Sequence, residues 1–293
     1  MAAALAAVDG FLASLRARAA PLNTIKAYRQ DLRLFTQAVP ADLANVTPTT
    51  ILAFLEGNGQ LSPATRRRRF ATLCTFYRWL LRQELVTINP MERLDPIKPP
   101  EREPRPLADE TVQAILKVIP AARTRDRALF TLVYETGMRI GEALGIQVED
   151  LDLTPDDERV RVFGKGQRER TISLLAAPTS VRLLRRHLKL SGIQSGSVFR
   201  GDRRYGGSTL PLEYSVAHDA WQQYCEQAGI TATIHQLRHS RASQLVQAGV
   251  PLTTVRKLLG HRSLQSTLLY AEVDQATIKQ DLRAYQRRKG PRR

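Results

Sequence analysis

The chain has 293 residues, 43% of them hydrophobic, which fits two globular domains and excludes an intrinsically disordered protein. Its formal net charge of +16 and pI of about 10.5 favour a polyanionic partner, because basic side chains that neutralise phosphates release condensed counterions. The excess is spread along the chain: residues 1–106 carry 15 basic and 9 acidic side chains, and residues 107–293 carry 29 and 19. Charge alone leaves open a generally basic protein without a nucleic-acid partner.

The cysteine content and hydropathy of the chain indicate where in the cell the protein is expected to act. Cys74 and Cys225 provide neither a disulfide framework nor a metal-ligand cluster, and each is expected to be a small packing residue. The apolar start of the chain lacks a basic lead and is interrupted by Asp9, which predicts a helix rather than a signal peptide. No apolar run approaches membrane-spanning length. We therefore expect a soluble, intracellular protein with no membrane partner.

Residues 1–94 show helical periodicity throughout, which predicts a four-helix bundle with few or no strands. Ser62 and Pro63 are typical of a helix start, as the capping residue and the first-turn residue. The helices are expected around residues 8–15, over 24–38, over 49–55, and from 62 onward.

A proline-rich stretch at residues 95–106 separates this bundle from the rest of the chain. Five of its twelve residues are proline, which predicts an extended, semi-rigid linker. Beyond it, polar and apolar residues alternate on either side of Gly164-Lys165-Gly166, which predicts a β-hairpin over 159–163 and 168–174. The acidic stretch 149–158 is expected to be a solvated turn before this hairpin. Helices are predicted over 107–119, 125–135, 179–190, 212–228, 236–248, 252–259 and 263–271.

Several residues of the second region suit chemistry on a phosphodiester, which needs a nucleophile, stabilisation of the non-bridging oxygens and a proton for the leaving oxygen. Arg139 is predicted to start a helix, where a guanidinium and exposed amides favour an oxyanion. Glu142, one turn on, can brace that arginine or cap the helix. Lys165 at the hairpin tip can reach into a DNA groove. Each residue alone also fits an ordinary solvated side chain.

Two further motifs contain histidine. His235 and Arg238 share a helix face, and His239 falls near it. Gly260 is expected to end a helix just before His261, and Ser263 to cap the next, which reaches Tyr270. The nine-residue separation spans a turn and a short helix, so His261 and Tyr270 can meet at one site. A surface helix turn and a half-buried tyrosine are the ordinary alternatives.

In their order and spacing, Arg139-Ile-Gly-Glu142, Gly164-Lys165-Gly166, His235-Gln-Leu-Arg238-His239, Gly260-His261 and Tyr270 resemble the motifs of tyrosine site-specific recombinases of the phage integrase and Xer type. The resemblance covers nearly the whole chain. It implies that Tyr270 is a nucleophile forming a covalent 3′-phosphotyrosine and that Lys165 protonates the leaving 5′ oxygen. It implies further that Arg139, His235, Arg238 and His261 act on the scissile phosphate, with Glu142 and His239 in support. No metal and no cofactor are expected.

The resemblance also implies an architecture and an assembly. A core-binding domain at residues 1–94 and an α-rich catalytic domain at 107–293 would form a C-shaped clamp on double-stranded DNA. The target would have inverted-repeat arms, and four protomers would recombine it through a four-way junction. A C-terminal helix, roughly residues 274–285, would dock on a neighbouring protomer. The residues expected to contact DNA are Thr24, Lys26, Tyr28, Arg29, Arg66, Arg67, Arg68, Arg69 and Arg168, the last in place of a lysine of the family pattern.

Such an enzyme would act in the cytoplasm, at the nucleoid. Its role in chromosome dimer resolution or mobile-element integration, excision or inversion is left open, as is an accessory protein. Three other classes of protein share some of these features. A metal-dependent nuclease would need the carboxylates of 149–158, for which no helix-borne partners recur. A DNA-architectural protein would not need the six-residue set. A type IB topoisomerase shares the chemistry, but the short chain and helical N-terminal domain favour a recombinase.

Overall fold

The computed structural model describes residues 2–39, 42–57, 61–98, 105–164, 169–201 and 209–260. The chain divides into two compact units, Met1–Arg102 and Glu103–Arg293, and each contains its own hydrophobic core. Within the described residues the structure is mostly helical with one small antiparallel sheet, which confirms the predicted fold class. None of the helices described combines the length and the apolar character that a membrane span requires.

The first unit is the predicted four-helix bundle. The N-terminus of its longest helix is capped as expected, since the Ser62 hydroxyl accepts a hydrogen bond from the Thr65 amide at 3.2 Å. Aromatic side chains fill the centre, where the rings of Phe11 and Phe76 meet edge to face with centroids 5.3 Å apart. The helices are α1 (Ala2–Ala17), α2 (Leu22–Ala38), α3 (Pro48–Glu56) and α4 (Pro63–Arg82).

The second unit is built around buried Phe130 and Trp221, whose ring centroids lie 5.0 Å apart. Its helix α7 has only five residues and follows α6 almost directly, which places two helix ends side by side at the site described below. The helices are α5 (Asp109–Val118), α6 (Thr124–Thr136), α7 (Ile140–Leu144), α8 (Pro178–Ser191), α9 (Tyr214–Gln227), α10 (Ile234–Gln247) and α11 (Leu252–Leu259).

The sheet contains the predicted hairpin, as β2 (Arg159–Phe163) and β3 (Glu169–Ser173), with Val160 paired to Ile172 on the buried face. A third strand, β1 (Leu151–Asp152), pairs with β2, so the prediction of a turn throughout 149–158 was wrong at these two residues. A two-residue strand is too short to show alternation. It is held by antiparallel pairing with β2, in which Asp152 lies opposite Arg159 and its carboxylate binds that guanidinium at 2.9 Å.

The two ends of the predicted linker are fixed to different units. Ile97 packs against the first core. On the far side, the Arg105 carbonyl accepts a hydrogen bond from Gln236 at 3.1 Å, and the Leu107 amide donates to Ser240 at 2.8 Å. Residues 99–104 lie outside the described residues, and so does the predicted helix over 263–271.

Candidate active site

The junction of α6 and α7 positions Arg139. Gly137 ends α6 in the left-handed region, with φ of 66°, and a Cβ atom there would lie 2.5 Å from Leu259. The end of α6 can therefore approach the end of α11 closely only because residue 137 is glycine. Arg139 is the N-cap of α7, and 46% of its side chain is exposed, so its guanidinium is accessible to a ligand.

A buried carboxylate organises two arginines. Glu142 accepts hydrogen bonds from the backbone amide of Arg139 at 2.8 Å and from its Nη1 at 3.0 Å. Arg170 on β3 binds the same carboxylate with a fork, Nη1 to Oε1 at 2.9 Å and Nη2 to Oε2 at 2.8 Å. Burial alone would raise the pKa of Glu142, but the Arg170 and Arg139 hydrogen bonds and charges lower it below its usual value. The group is therefore ionised at neutral pH.

Arg238 projects from α10 into the space between two helix ends. It is 3% exposed, and its Nη1 donates to the Gly137 carbonyl at 2.7 Å while its Nη2 donates to the Leu259 carbonyl at 2.8 Å. Arg170 Nη2 lies 3.5 Å from the same Leu259 carbonyl. The three side chains, which we call the arginine cluster (Arg139, Arg170 and Arg238), thus belong to one hydrogen-bonded network.

Two histidines adjoin this cluster on α10. The rings of His235 and His239 meet edge to face, with centroids 4.5 Å apart. His235 is exposed, yet its pKa is lowered, first by partial desolvation and then by the positive charges of Arg238 and Arg139. Burial, followed by the charges of His235 and Arg238, lowers the pKa of His239 to about 4. Both rings are therefore neutral at pH 7. The positive charges that act on His235 belong to Arg139 and Arg238, the two arginines expected to bind the phosphate.

Four predicted residues, Lys165, Arg168, His261 and Tyr270, lie outside the described residues, and their roles stay predictions. The structure describes the segments that lead to them. Strand β2 ends at Phe163, two residues before Lys165, and α11 ends at Leu259 with Gly260 as its left-handed cap. Thus the segment that enters His261 starts from the carbonyl that Arg238 binds.

The arginines Arg66–Arg69, predicted to contact DNA, lie in the first turns of α4. Arg68 binds the buried carboxylate of Asp31 on α2 at 2.6 Å. Arg69 is 14% exposed and stacks over the Phe54 ring at 4.9 Å. Because these two side chains contact their own unit, packing accounts for at least part of this basic run.

The residues on α2 that are predicted to contact DNA also include both exposed side chains and side chains that pack within the unit. Lys26 and Arg29 are exposed, as is Arg67 on α4, while Thr24 is half-buried. Tyr28 packs against the first core. Lys26, Arg29 and Arg67 are therefore the candidates best placed to meet a phosphate backbone.

Arg170 is a residue of the site that sequence reasoning missed. On β3 it has the same parity as buried Ile172, so it points toward the inner face of the sheet. An arginine on the inner parity of a strand must find an anionic or carbonyl partner, because an unpaired buried charge is costly. That parity indicated that Arg170 needs a buried partner, but it did not identify Glu142 as that partner.

The acidic stretch 149–158, on which a metal-dependent nuclease would rely, is committed to other contacts. Glu149 accepts a hydrogen bond from a backbone amide, and the other contacts are with arginines, of which Arg159 is shared by Asp152 and Asp157. Across the ranges that the structure describes, no group of three or more His, Cys, Asp or Glu is arranged to hold a metal ion. The contacts are Asp150–Arg161 at 3.0 Å, Asp152–Arg159 at 2.9 Å, Glu158–Arg185 at 3.1 Å, and the Gly196 amide to Glu149 at 2.9 Å.

Comparisons with known proteins cover both units. Residues 105–277 match the model of the phage integrase family, and residues 8–84 match that of the phage integrase N-terminal SAM-like domain. A tyrosine recombinase XerC of Neisseria gonorrhoeae is 31% identical over 283 residues, which cover 91% of this chain and 90% of that protein. A tyrosine recombinase XerD of Shewanella oneidensis is 30% identical over 288 residues, covering 93% and 94%.

Solved structures show the same fold. A lambda integrase tetramer bound to a Holliday junction aligns with a TM-score of 0.72 at 20% identity, covering 93% of this chain and 80% of that one. The XerH recombinase in a post-cleavage complex with its palindromic difH substrate aligns with a TM-score of 0.70 at 22% identity, covering 92% and 82%.

Proposed function

This chain belongs to the phage integrase family and is a site-specific tyrosine recombinase, and we propose that Tyr270 is the nucleophile with which it cleaves and rejoins DNA. Tyr270 falls within the region that matches the family model. The relatives and solved structures named above are recombinases and an integrase, and nothing in them favours the topoisomerase or the architectural alternative.

The arginine cluster is the observation that supports this chemistry most directly. Three guanidinium groups and one carboxylate share a single hydrogen-bonded network, which leaves an excess of positive charge where α6, α10 and α11 meet. A phosphodiester under attack gains negative charge on its non-bridging oxygens, and fixed cations stabilise that charge without reorganising. We assign this function to Arg139 and Arg238.

The proposed reaction needs no external energy source. The Tyr270 hydroxyl loses its proton to solvent as its oxygen attacks the scissile phosphorus, a phosphotyrosine bond forms, and the bond to the 5′ oxygen breaks. Lys165 gives its proton to that oxygen, while His235 and His261 hydrogen bond to the phosphate. A 5′ hydroxyl of the partner strand then returns a proton to Lys165 and attacks the phosphotyrosine, which restores a phosphodiester and releases Tyr270 as a phenolate that takes a proton from solvent. One bond is exchanged for another at each step.

The natural substrate on this proposal is double-stranded DNA with inverted-repeat arms, held by four protomers that exchange strands in pairs. The lambda integrase tetramer on a Holliday junction supports the stoichiometry by analogy. Exposed Lys26, Arg29 and Arg67 support phosphate contacts from the core-binding domain, residues 1–94. Beyond Tyr270, the C-terminal segment would dock on a neighbouring protomer. The DNA target implies action in the cytoplasm, at the nucleoid.

A suicide substrate tests the proposal. A recombination site with a nick near the cut loses the short strand that would reverse cleavage, so wild-type protein should accumulate covalently on a 3′ phosphate. Tyr270→Phe should bind the site normally and trap none. Tyr214→Phe is a matched control, because Tyr214 is 55% exposed at the start of α9, and it should trap like wild type. Covalent trapping by Tyr270→Phe would overturn the assignment.

A further inference from the structure

Arg170 makes contacts that none of the proposed chemical steps uses. Its guanidinium takes both oxygens of the Glu142 carboxylate, at 2.9 and 2.8 Å, although Glu142 lies 28 residues away in sequence. Only 19% of the Arg170 side chain is exposed and only 4% of that of Glu142. A bidentate ion pair between two side chains that are this deeply buried has a fixed geometry.

The Arg170 guanidinium also lies against the segment that leads into His261. Its Nη2 is 3.5 Å from the Leu259 carbonyl, and a Cβ atom on Gly260 would lie 2.8 Å from its Cζ. Residue 260 must therefore lack a side chain for Arg170 to keep this position. The positive φ of residue 260 is a second, independent reason for glycine there. Through these contacts, the base of the hairpin is tied both to the start of α7 and to the end of α11.

The charges in this network have a consequence for Arg139. Arg139 Nη1 lies 3.0 Å from Glu142, so without Arg170 the two would form a closed ion pair with no net charge. Such a pair competes with phosphate for the guanidinium. With Arg170 present, two cations share one carboxylate, and a net positive charge remains beside the exposed face of Arg139.

We propose that Arg170 is a positioning residue for recombination: it neutralises Glu142, so that the Arg139 guanidinium stays available to the scissile phosphate, and it fixes the hairpin base beside the Gly260 turn. This inference rests on the proposed role of Arg139. Arg170 acts through Glu142 and makes no contact with the reacting atoms.

Single-turnover cleavage of the nicked suicide substrate, at saturating protein, tests the idea. Arg170→Ala should bind the site with near-normal affinity but cleave slower by 10- to 100-fold, the order expected when a catalytic group is misplaced. Adding Glu142→Gln should make the double variant faster than Arg170→Ala alone, because the competing charge is gone. Arg159→Ala, which removes an exposed arginine from the adjacent strand, should cleave like wild type.

The outcomes separate the possibilities. If Arg170→Ala cleaves normally, or if Glu142→Gln slows it further, the inference is wrong while the proposed function stands. If wild-type protein itself forms no adduct through Tyr270, the proposed function is wrong. If thermal unfolding shows that Arg170→Ala does not fold, the cleavage rates of Arg170→Lys with and without Glu142→Gln are compared instead. Lysine keeps the charge and loses the fork, so its cleavage should be intermediate and should respond little to Glu142→Gln; a strong response in either direction would contradict the proposal.

Discussion

Replacing Arg238 by alanine should damage both the stability of the second unit and cleavage. Arg238 is 3% exposed, and its guanidinium joins two helix ends through the Gly137 carbonyl at 2.7 Å and the Leu259 carbonyl at 2.8 Å. Alanine removes both donors, so the Gly137 carbonyl loses this partner and the Leu259 carbonyl keeps the weaker contact with Arg170 at 3.5 Å. The perturbation therefore tests whether the phosphate-binding arginine also holds its site together.

The magnitude follows from the two bonds. Hydrogen bonds to a charged group contribute about 1.5–3 kcal/mol each, so losing two costs about 3–6 kcal/mol before water enters the vacated space. We expect about 3 kcal/mol after rehydration of the carbonyls. For a domain of this size that corresponds to a fall in Tm of about 6–12 °C. Loss of charge stabilisation should separately slow cleavage by a factor on the order of 10² or more.

Urea unfolding followed by circular dichroism measures the first effect, and the suicide substrate measures the second. Arg241→Ala is the matched control on the same helix, because its side chain makes an exposed hydrogen bond to the Ala176 carbonyl at 3.2 Å. It should change the free energy of unfolding by less than about 1 kcal/mol. Site affinity should change little in either variant, since many other phosphate contacts remain.

Two results would contradict this double role of Arg238. An Arg238→Ala protein as stable as the Arg241→Ala control would show that the two carbonyl contacts do not hold α6 and α11 together. Near-normal cleavage by Arg238→Ala, at a temperature where it is folded, would remove Arg238 from the reaction.

Three further predictions concern the proton, the metal and pH. Lys165→Ala should be slow on a normal substrate and largely restored on one with a bridging 5′ sulfur, whose departure needs no proton; equal defects on both would indicate a DNA-positioning lysine. Cleavage should survive excess EDTA, because the site's cations are side chains, and a loss reversed by magnesium would revive the nuclease alternative. The free energy of unfolding should fall as the pH drops from 6.5 to about 4, because the pKa of His239 is lowered to about 4 in the folded protein and unfolded histidine takes up a proton near 6.5. The free energy of unfolding should change by at most about 1.4 kcal/mol per pH unit from this histidine, and by less because solvent screens its charge. This pH dependence should be weaker in His239→Gln.

Local signals predicted the elements that begin and end at recognisable residues. The prediction of a helix over 252–259 agrees with α11 at both ends, because Pro251 precedes it and Gly260 stops it. The hairpin strands followed from alternation, with Val160, Val162 and Ile172 buried. Strand β1 was not predicted, because its two residues, Leu151 and Asp152, are too few to show an alternating pattern.

Contacts between residues distant in sequence were not predictable in the same way. The fork between Arg170 and Glu142 joins a strand to a helix start, and no spacing rule relates the two. The pair formed by Arg68 and buried Asp31 likewise spans two helices, so a run of four arginines read as a DNA-binding surface includes side chains that serve packing. Candidate catalytic residues could be named from motifs, but their supporting partners depend on the tertiary fold.

The identity of the amino acid that becomes attached to DNA tests the proposed cleavage chemistry most directly. Wild-type protein trapped on a nicked suicide substrate should be digested with nuclease and protease, and the nucleotide-bearing peptide sequenced by mass spectrometry. The expected result is a 3′ phosphate linked to Tyr270 and to no other residue. A nucleotide on another tyrosine, or on a serine, or a cut DNA with no attached peptide, would contradict it.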